Sequence, residues 1–247
     1  GQEIGRNHEP PMEIVTLGDY RMRHAQYKRD PMLQAAHAAA PWLCTWDDHE
    51  STNNSYRTGA ENHQPETEGN WSDRKQAAVQ AYMEWMPIRD PREGRDFTSI
   101  YRQFDFGDIA TVFCLESRLT GRSDEISWGA ELAGVAPDAV PAKAAAVMQA
   151  VQDESRTMLG KVQEDWLDAG LKRSTAAGKA WQVLANQVIM AKVKLPNMMT
   201  ALTPEQQAAQ TGYVAGMIPF SQLGLPFNLD AWDGFAAARD RLYASAA

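Results

Sequence analysis

Asp47, Asp48, His49 and Glu50 stand in an unbroken run behind Trp46, so three carboxylates and an imidazole share four consecutive positions. Carboxylates prefer hard cations, and imidazole suits transition metals. A loop with Asp48 and His49 side by side can aim one at a metal and the other at a bound phosphoryl group. Metal-assisted hydrolysis is therefore the enzyme chemistry that best matches the run. Neighbours in an extended segment point to opposite sides, so the pair is not expected to ligate one ion together. The same residue types also suit a plainer role, with the three acids capping or solvating a loop and His49 lying on the surface. Composition and spacing leave both roles open.

Arg57, Arg118 and Arg122 follow candidate strands and could clamp a phosphate bidentately. His63, with Glu61 and Asn62, could line a pocket, although a polar-loop histidine, like His8, is more simply a surface group. His24 and His37 fall on helical segments whose other residues explain them as packing or surface groups. Cys44 and Cys114 lie in apolar runs and are expected to be small buried hydrophobes rather than a disulfide or ligand pair. Met190, Met198, Met199 and Met217 are expected to be adaptable packing. No Gly-rich phosphate loop, Cys-x-x-Cys pair or nucleophile elbow occurs in the sequence.

The elements that position these residues follow from periodicity and punctuation. Residues 1–13, polar with Pro10-Pro11, predict an extended arm. Thr16 suits an N-cap for a helix over 17–29, Asp30-Pro31 breaks the chain, and 32–40 predicts a second helix leading into a short strand at 41–46. A long polar loop over 53–71 follows. Ser72 then suits a cap for a helix over 73–86. Alternation over 100–106 predicts a half-buried strand, and the apolar run 109–115 a central strand covered on both faces. After a loop at 116–137, helices are predicted over 139–152 and 155–173, and a buried strand over 180–186. Residues 194–228 carry four prolines and no sustained period, which predicts irregular chain with at most a short helix after Thr203. Helix returns over 229–246. Strands separated by helices place the chain in the α/β class.

The 247 residues suffice for one large or two small domains, and 44% hydrophobic content is ordinary for a globular protein. A net charge of −8 without a basic stripe argues against a nucleic-acid backbone as partner. A phosphate-bearing substrate then needs a bound cation or a local basic pocket. No apolar run reaches the roughly 18 residues of a membrane span. The chain opens on Gly1 without a signal-peptide pattern.

Beyond spacing, the wording of the chain carries a resemblance. His8-Glu9-Pro10-Pro11, Tyr20-Arg21, His24-Ala25-Gln26-Tyr27, Asp30-Pro31, Pro41-Trp42 and Thr45 to Glu50 occur in one order. Gly59-Ala60-Glu61-Asn62-His63, Ala81-Tyr82-Met83-Glu84-Trp85-Met86-Pro87, Ile100-Tyr101-Arg102, Phe106-Gly107-Asp108 and Trp181 to Val188 follow, and Trp232-Asp233-Gly234 closes the series. Together they resemble the alkaline phosphatase D (PhoD-like) family of metallophosphatases along nearly the whole chain.

The resemblance implies a four-layered α/β sandwich, of which this chain would hold a part: mixed sheet strands flanked by helices. It also implies a binuclear metal centre, with calcium and iron as the expected ions, and hydrolysis of small phosphomonoesters or phosphodiesters. A periplasmic or extracellular location comes with it. By the same resemblance Asp48 is a metal ligand, His49 a phosphate contact or leaving-group acid, and Asn54 a lesser candidate ligand.

Two family ligand segments have no counterpart. The Gly-Asp-Tyr-Ile-Tyr-Glu motif is expected ahead of the His8 region. Leu17-Gly18-Asp19-Tyr20 looks like it, but it stands where the family starts an ordinary helix, so Asp19 is expected to be a decoy. A later Gly-Asp-x-His segment is also missing, and no histidine follows position 63. The expectation is that 1–247 forms the central portion of a PhoD-like domain, without the N-terminal and C-terminal metal-ligand segments, and is inactive alone. The alternative is a degenerate, non-catalytic binding or scaffolding module with the same fold.

Overall fold

The computed structural model describes residues 4–91 and 93–246, so the first three residues of the expected arm lie outside it. The chain divides into two compact units, Gly1–Asp124 with Leu159–Gln187, and Glu125–Met158 with Val188–Ala247.

In the first unit, α1 (Leu17–Lys28) starts where the sequence predicts. Thr16 and Asp19 form a reciprocal capping box, with each side chain accepting from the other's backbone N–H. Asp30 caps α2 (Pro31–Ala39), whose first residue is proline, tolerated there because its missing N–H has no helical partner anyway. The polar loop contains a two-residue ladder, β1 (Ser55–Tyr56) against β2 (Gly59–Ala60), and a single turn, α3 (Pro65–Glu68). The next helix, α4 (Trp71–Trp85), begins earlier than predicted, after Asn70, and Ser72 is not its cap. Helix α4 lies against α1, and Trp46, Trp71, Val79, Tyr82, Ile100 and Leu119 form a buried cluster.

The sheet of this unit has three strands: β3 (Arg102–Phe106), β4 (Ala110–Cys114) and β5 (Trp181–Ala185). β3 pairs antiparallel with β4 through Arg102↔Cys114 and Phe106↔Ala110, and β4 pairs parallel with β5 through Ala110↔Trp181 and Cys114↔Ala185. Thr111 and Phe113 alternate onto the face covered by α7 (Lys161–Ala176), where Ser174 Oγ donates to Thr111 Oγ1 at 2.9 Å. Gly170 permits this close approach, since a Cβ there would meet the Phe113 ring at 2.5 Å.

Three further predictions change in this unit. Residues 41–46 are extended but join no ladder; Thr45 Oγ1 instead donates to Leu115 O at 2.8 Å and accepts from Gln187 Nε2 at 2.8 Å. Helix α7 begins six residues later than predicted, because Gly160 ahead of it adopts a positive φ that helical backbone excludes. β5 is an edge strand rather than a buried one, with Trp181 65% exposed.

The second unit holds α5 (Trp128–Leu132), α6 (Val140–Ala150), α8 (Met198–Ala201), α9 (Pro204–Ala208), α10 (Gly212–Met217) and α11 (Ala236–Ala246). The segment expected to be irregular thus contains three short helices followed by a 3-10 turn at Ile218–Leu223. Each is too short to show a period, and Pro204 and Pro219 sit at first-turn positions that a reading by punctuation takes as breaks. Trp128, Val147, Val151, Leu195, Met217 and Leu229 belong to this unit's core.

Candidate functional site

Trp46 to Asn54 form a turn held from three directions. Trp46 is buried and its Nε1 donates to Glu116 Oε1 at 2.8 Å. Glu116, fully buried, also accepts the amide N–H groups of Arg118, Leu119 and Thr120 at 2.7 to 2.8 Å. That set of donors satisfies its carboxylate as structure, not as a reacting group. The loop after β4 can pass close to Leu159 and Gly160, just ahead of α7, because of Gly121, where a Cβ would stand 2.4 Å from Leu159 O.

Arg118, buried in the same loop, donates from Nε to Asp47 Oδ1 at 2.6 Å. From the other side Tyr20 OH donates to Ser51 O at 2.6 Å. Arg74 Nε donates to the Tyr20 oxygen at 3.2 Å, and the same guanidinium reaches Glu68 at 2.8 Å and Glu13 at 2.9 Å. Burial raises the Tyr20 pKa, although the Arg74 charge opposes it, so the phenol stays a donor.

Inside the turn Asp48 is nearly buried. Its Oδ2 accepts the Asn54 amide at 2.8 Å, and its carbonyl accepts Ser51 N at 2.8 Å and Ser51 Oγ at 3.0 Å. Asn54 adopts a left-handed φ of 50°, a conformation asparagine tolerates better than most residues. Because 48–51 turn rather than extend, His49 Nε2 comes within 3.8 Å of Asp48 Oδ2. The expectation that the two point to opposite sides is therefore wrong.

His49 is 76% exposed and its Nε2 lies 3.0 Å from Asn53 Oδ1. The Asn53 amide is oriented by its Nδ2, which donates to Glu61 Oε2 at 2.7 Å, as Asn54 Nδ2 does at 2.8 Å. An amide oriented this way presents an acceptor to His49, an arrangement that suits an N–H at Nε2. Burial raises the Glu50 pKa, and the charges of Asp47 and Asp48 add to the rise, while its hydrogen bond from Asp47 N works against it.

The structure thus gathers Asp48, His49 and Asn54 with Glu61, which reading by position did not connect to them. The Gly59 to His63 motif was its signal. Arg118 holds Asp47, and Arg57 is exposed with its backbone N–H on Arg122 O. His63 is no surface group: its side chain is buried, with Nδ1 3.2 Å from Glu68 Oε2 and its ring 5.3 Å from Trp71. His24 packs against Trp85 and His37 stacks on Trp42. Cys114 is buried and Cys44 half-buried, both as free thiols.

A protein-family model described as PhoD-like phosphatase matches residues 1–247. The chain belongs to the PhoD-like phosphatase family. Alkaline phosphatase D of Bacillus subtilis (strain 168) is 37% identical over 232 residues, which are 93% of this chain and 32% of that protein. A solved structure described as the structure of PhoD superposes with a TM-score of 0.66 at 33% identity, covering 94% of this chain and 37% of the other. The chain spans about a third of the length of these relatives. Phosphatase-type hydrolysis is thus the chemistry of the family, and this PhoD-like chain shares its mixed α/β structure.

PhoD-like phosphatases are in general metal-dependent. Among the described residues no three His, Cys, Asp or Glu side chains converge as a metal-binding group. Asp48 already accepts an amide at one oxygen, and the Asn54 amide nitrogen is turned to Glu61. These donors fall short of the roughly four to eight a bound metal ion takes, so the residues present do not fit a complete metal centre.

Proposed function

We propose that this chain supplies the substrate-facing turn of a phosphoester hydrolase, with His49 as the acid toward the leaving oxygen. The observation that carries the reading is the orientation of the Asn53 amide by Glu61, which suits an N–H at the exposed Nε2 of His49. A proton held there can pass to the oxygen leaving phosphorus, or donate a hydrogen bond to a phosphoryl oxygen. Asp48 Oδ2 lies 3.8 Å from the same nitrogen, and the backbone amide of Asn54 holds that carboxylate in place. Arg118 pairs with Asp47 at 2.6 Å and lies 3.8 Å from Asp48 Oδ1, so its charge offsets part of the repulsion these carboxylates exert on an incoming phosphate.

The resemblance supports the finer parts of the reading. These are phosphodiesters beside phosphomonoesters as substrates, Asp48 and Asn54 as ligands of calcium or iron, a four-layered sandwich, and a periplasmic or extracellular setting. The incomplete donor set and the one-third coverage of the relatives support a division of labour. In it, 1–247 forms the central portion of the domain, other segments supply the remaining ligands, and the chain alone is inactive. The same incomplete donor set favours a second reading, a non-catalytic module that keeps the fold.

Producing the gene product from its start codon to its stop codon, and assaying phosphomonoester and phosphodiester hydrolysis with added calcium and iron, separates the two. Activity in that product and none in 1–247 alone supports the hydrolase. Inactivity of both supports the module.

A further inference from the structure

A cavity of about 370 Å³ lies in the first unit beside residues 42–44, 87–91 and 95 and β3, within the size range of small-ligand sites. Arg89, Arg95 and Arg102 line it, and Asp90 is the one acid among the described lining residues. The Arg102 guanidinium is fixed by the backbone: Nε donates to Ile100 O at 2.9 Å and Nη2 to Arg89 O at 2.8 Å. Arg95 lies over the Tyr101 ring, 4.7 Å from its centre. Among the described residues none of the three forms an ion pair with a carboxylate. Burial lowers the Arg102 pKa, and the neighbouring Arg89 charge pushes the same way. Such a concentration of positive charge, on a chain of net charge −8, is compensated most directly by a bound anion.

We propose that this cavity binds a phosphoryl anion. Arg89 and Arg95 offer forked donors that match phosphate oxygens in pairs, and Arg102 presents a guanidinium already immobilised. Neither Asp48 nor His49 takes part, so the inference stands apart from the function proposed above. The anion comes either as free inorganic phosphate or as the head of a phosphomonoester.

Calorimetric titration of the purified chain at low ionic strength, first with inorganic phosphate and then with glycerol 3-phosphate, tests the assignment. Saturable binding is expected, and Arg89→Ser and Arg95→Ser should each weaken it about ten-fold, the loss of one charge-assisted contact. Both variants should keep the wild-type circular dichroism spectrum, because neither side chain is used in an ion pair. Equal affinity for the two ligands supports a site for the bare phosphoryl group, and tighter glycerol 3-phosphate binding supports an ester site. Absence of saturable binding overturns the proposal, as does unaltered affinity in both arginine variants. Binding lost in His49→Asn yet kept in the arginine variants overturns it as well, since the phosphate then sits at the 46–54 turn.

Discussion

Replacing His49 by Asn keeps a polar side chain but removes the proton at Nε2, so in the full gene product kcat should fall about 100-fold, at the lower end of general acid effects, with a smaller change in KM. Steady-state kinetics check this; an unchanged kcat removes His49 from the chemistry. Asp19 provides the contrast. Its carboxylate serves the capping box with Thr16, where hydrogen bonds from the Thr16 and Val15 amides bring its pKa below the usual range although burial works against them. Asp19→Ala should therefore cost about 1 kcal/mol of stability, as lost helix caps do, without touching hydrolysis. The chemistry of Asp48 and His49 was legible in the sequence because both sit in one short run. The role of Glu61 was not, since it comes from a hydrogen bond to two side chains seven and eight positions away. His63 misled for a related reason: its loop is polar in sequence, yet Arg74, Glu68 and Trp71 fold over it.

Helix α1 supports the 46–54 turn through one hydrogen bond, from Tyr20 to Ser51. Tyr20→Phe should cost about 1 kcal/mol, the net worth of such a bond, and speed amide hydrogen exchange over 47–54. Exchange unchanged in that window would show that the turn stands without α1. Helices α1 and α4 are also bridged by Arg21 and Glu84, with contacts of 2.6 and 2.5 Å. The Arg21 hydrogen bonds hold the Glu84 pKa down to about 2 from 4.5. A depressed carboxylate adds stability above its unfolded pKa and loses it as pH falls through the folded value. Glu84→Gln should therefore lower the melting temperature slightly near neutrality, and the difference from wild type should vanish on titration from pH 4.5 toward 2. Helices with a cap or a long period, such as α1, α2 and α4, were readable. The 41–46 segment was not, because side-chain bonds from Thr45 and Gln187 stand in for a ladder that propensity alone would predict.

At the scale of the molecule, the family is secure, and the site is the part still to be tested. The chain carries the turn with Asp48 and His49, yet among the described residues no complete metal-binding group forms. It covers about a third of its PhoD-like relatives. Sequence motifs gave the family because they are spread through the whole chain, whereas the state of the site depends on which donors meet in space. The decisive measurement for Asp48 is hydrolysis of a phosphodiester by the full gene product and its Asp48→Ala variant, with bound metal determined on the same samples. Asp48→Ala should lower both activity and metal content, and Asp19→Ala should leave both near wild type. Equal losses in the two variants, or full activity without Asp48, would contradict the assignment of Asp48 as a metal ligand.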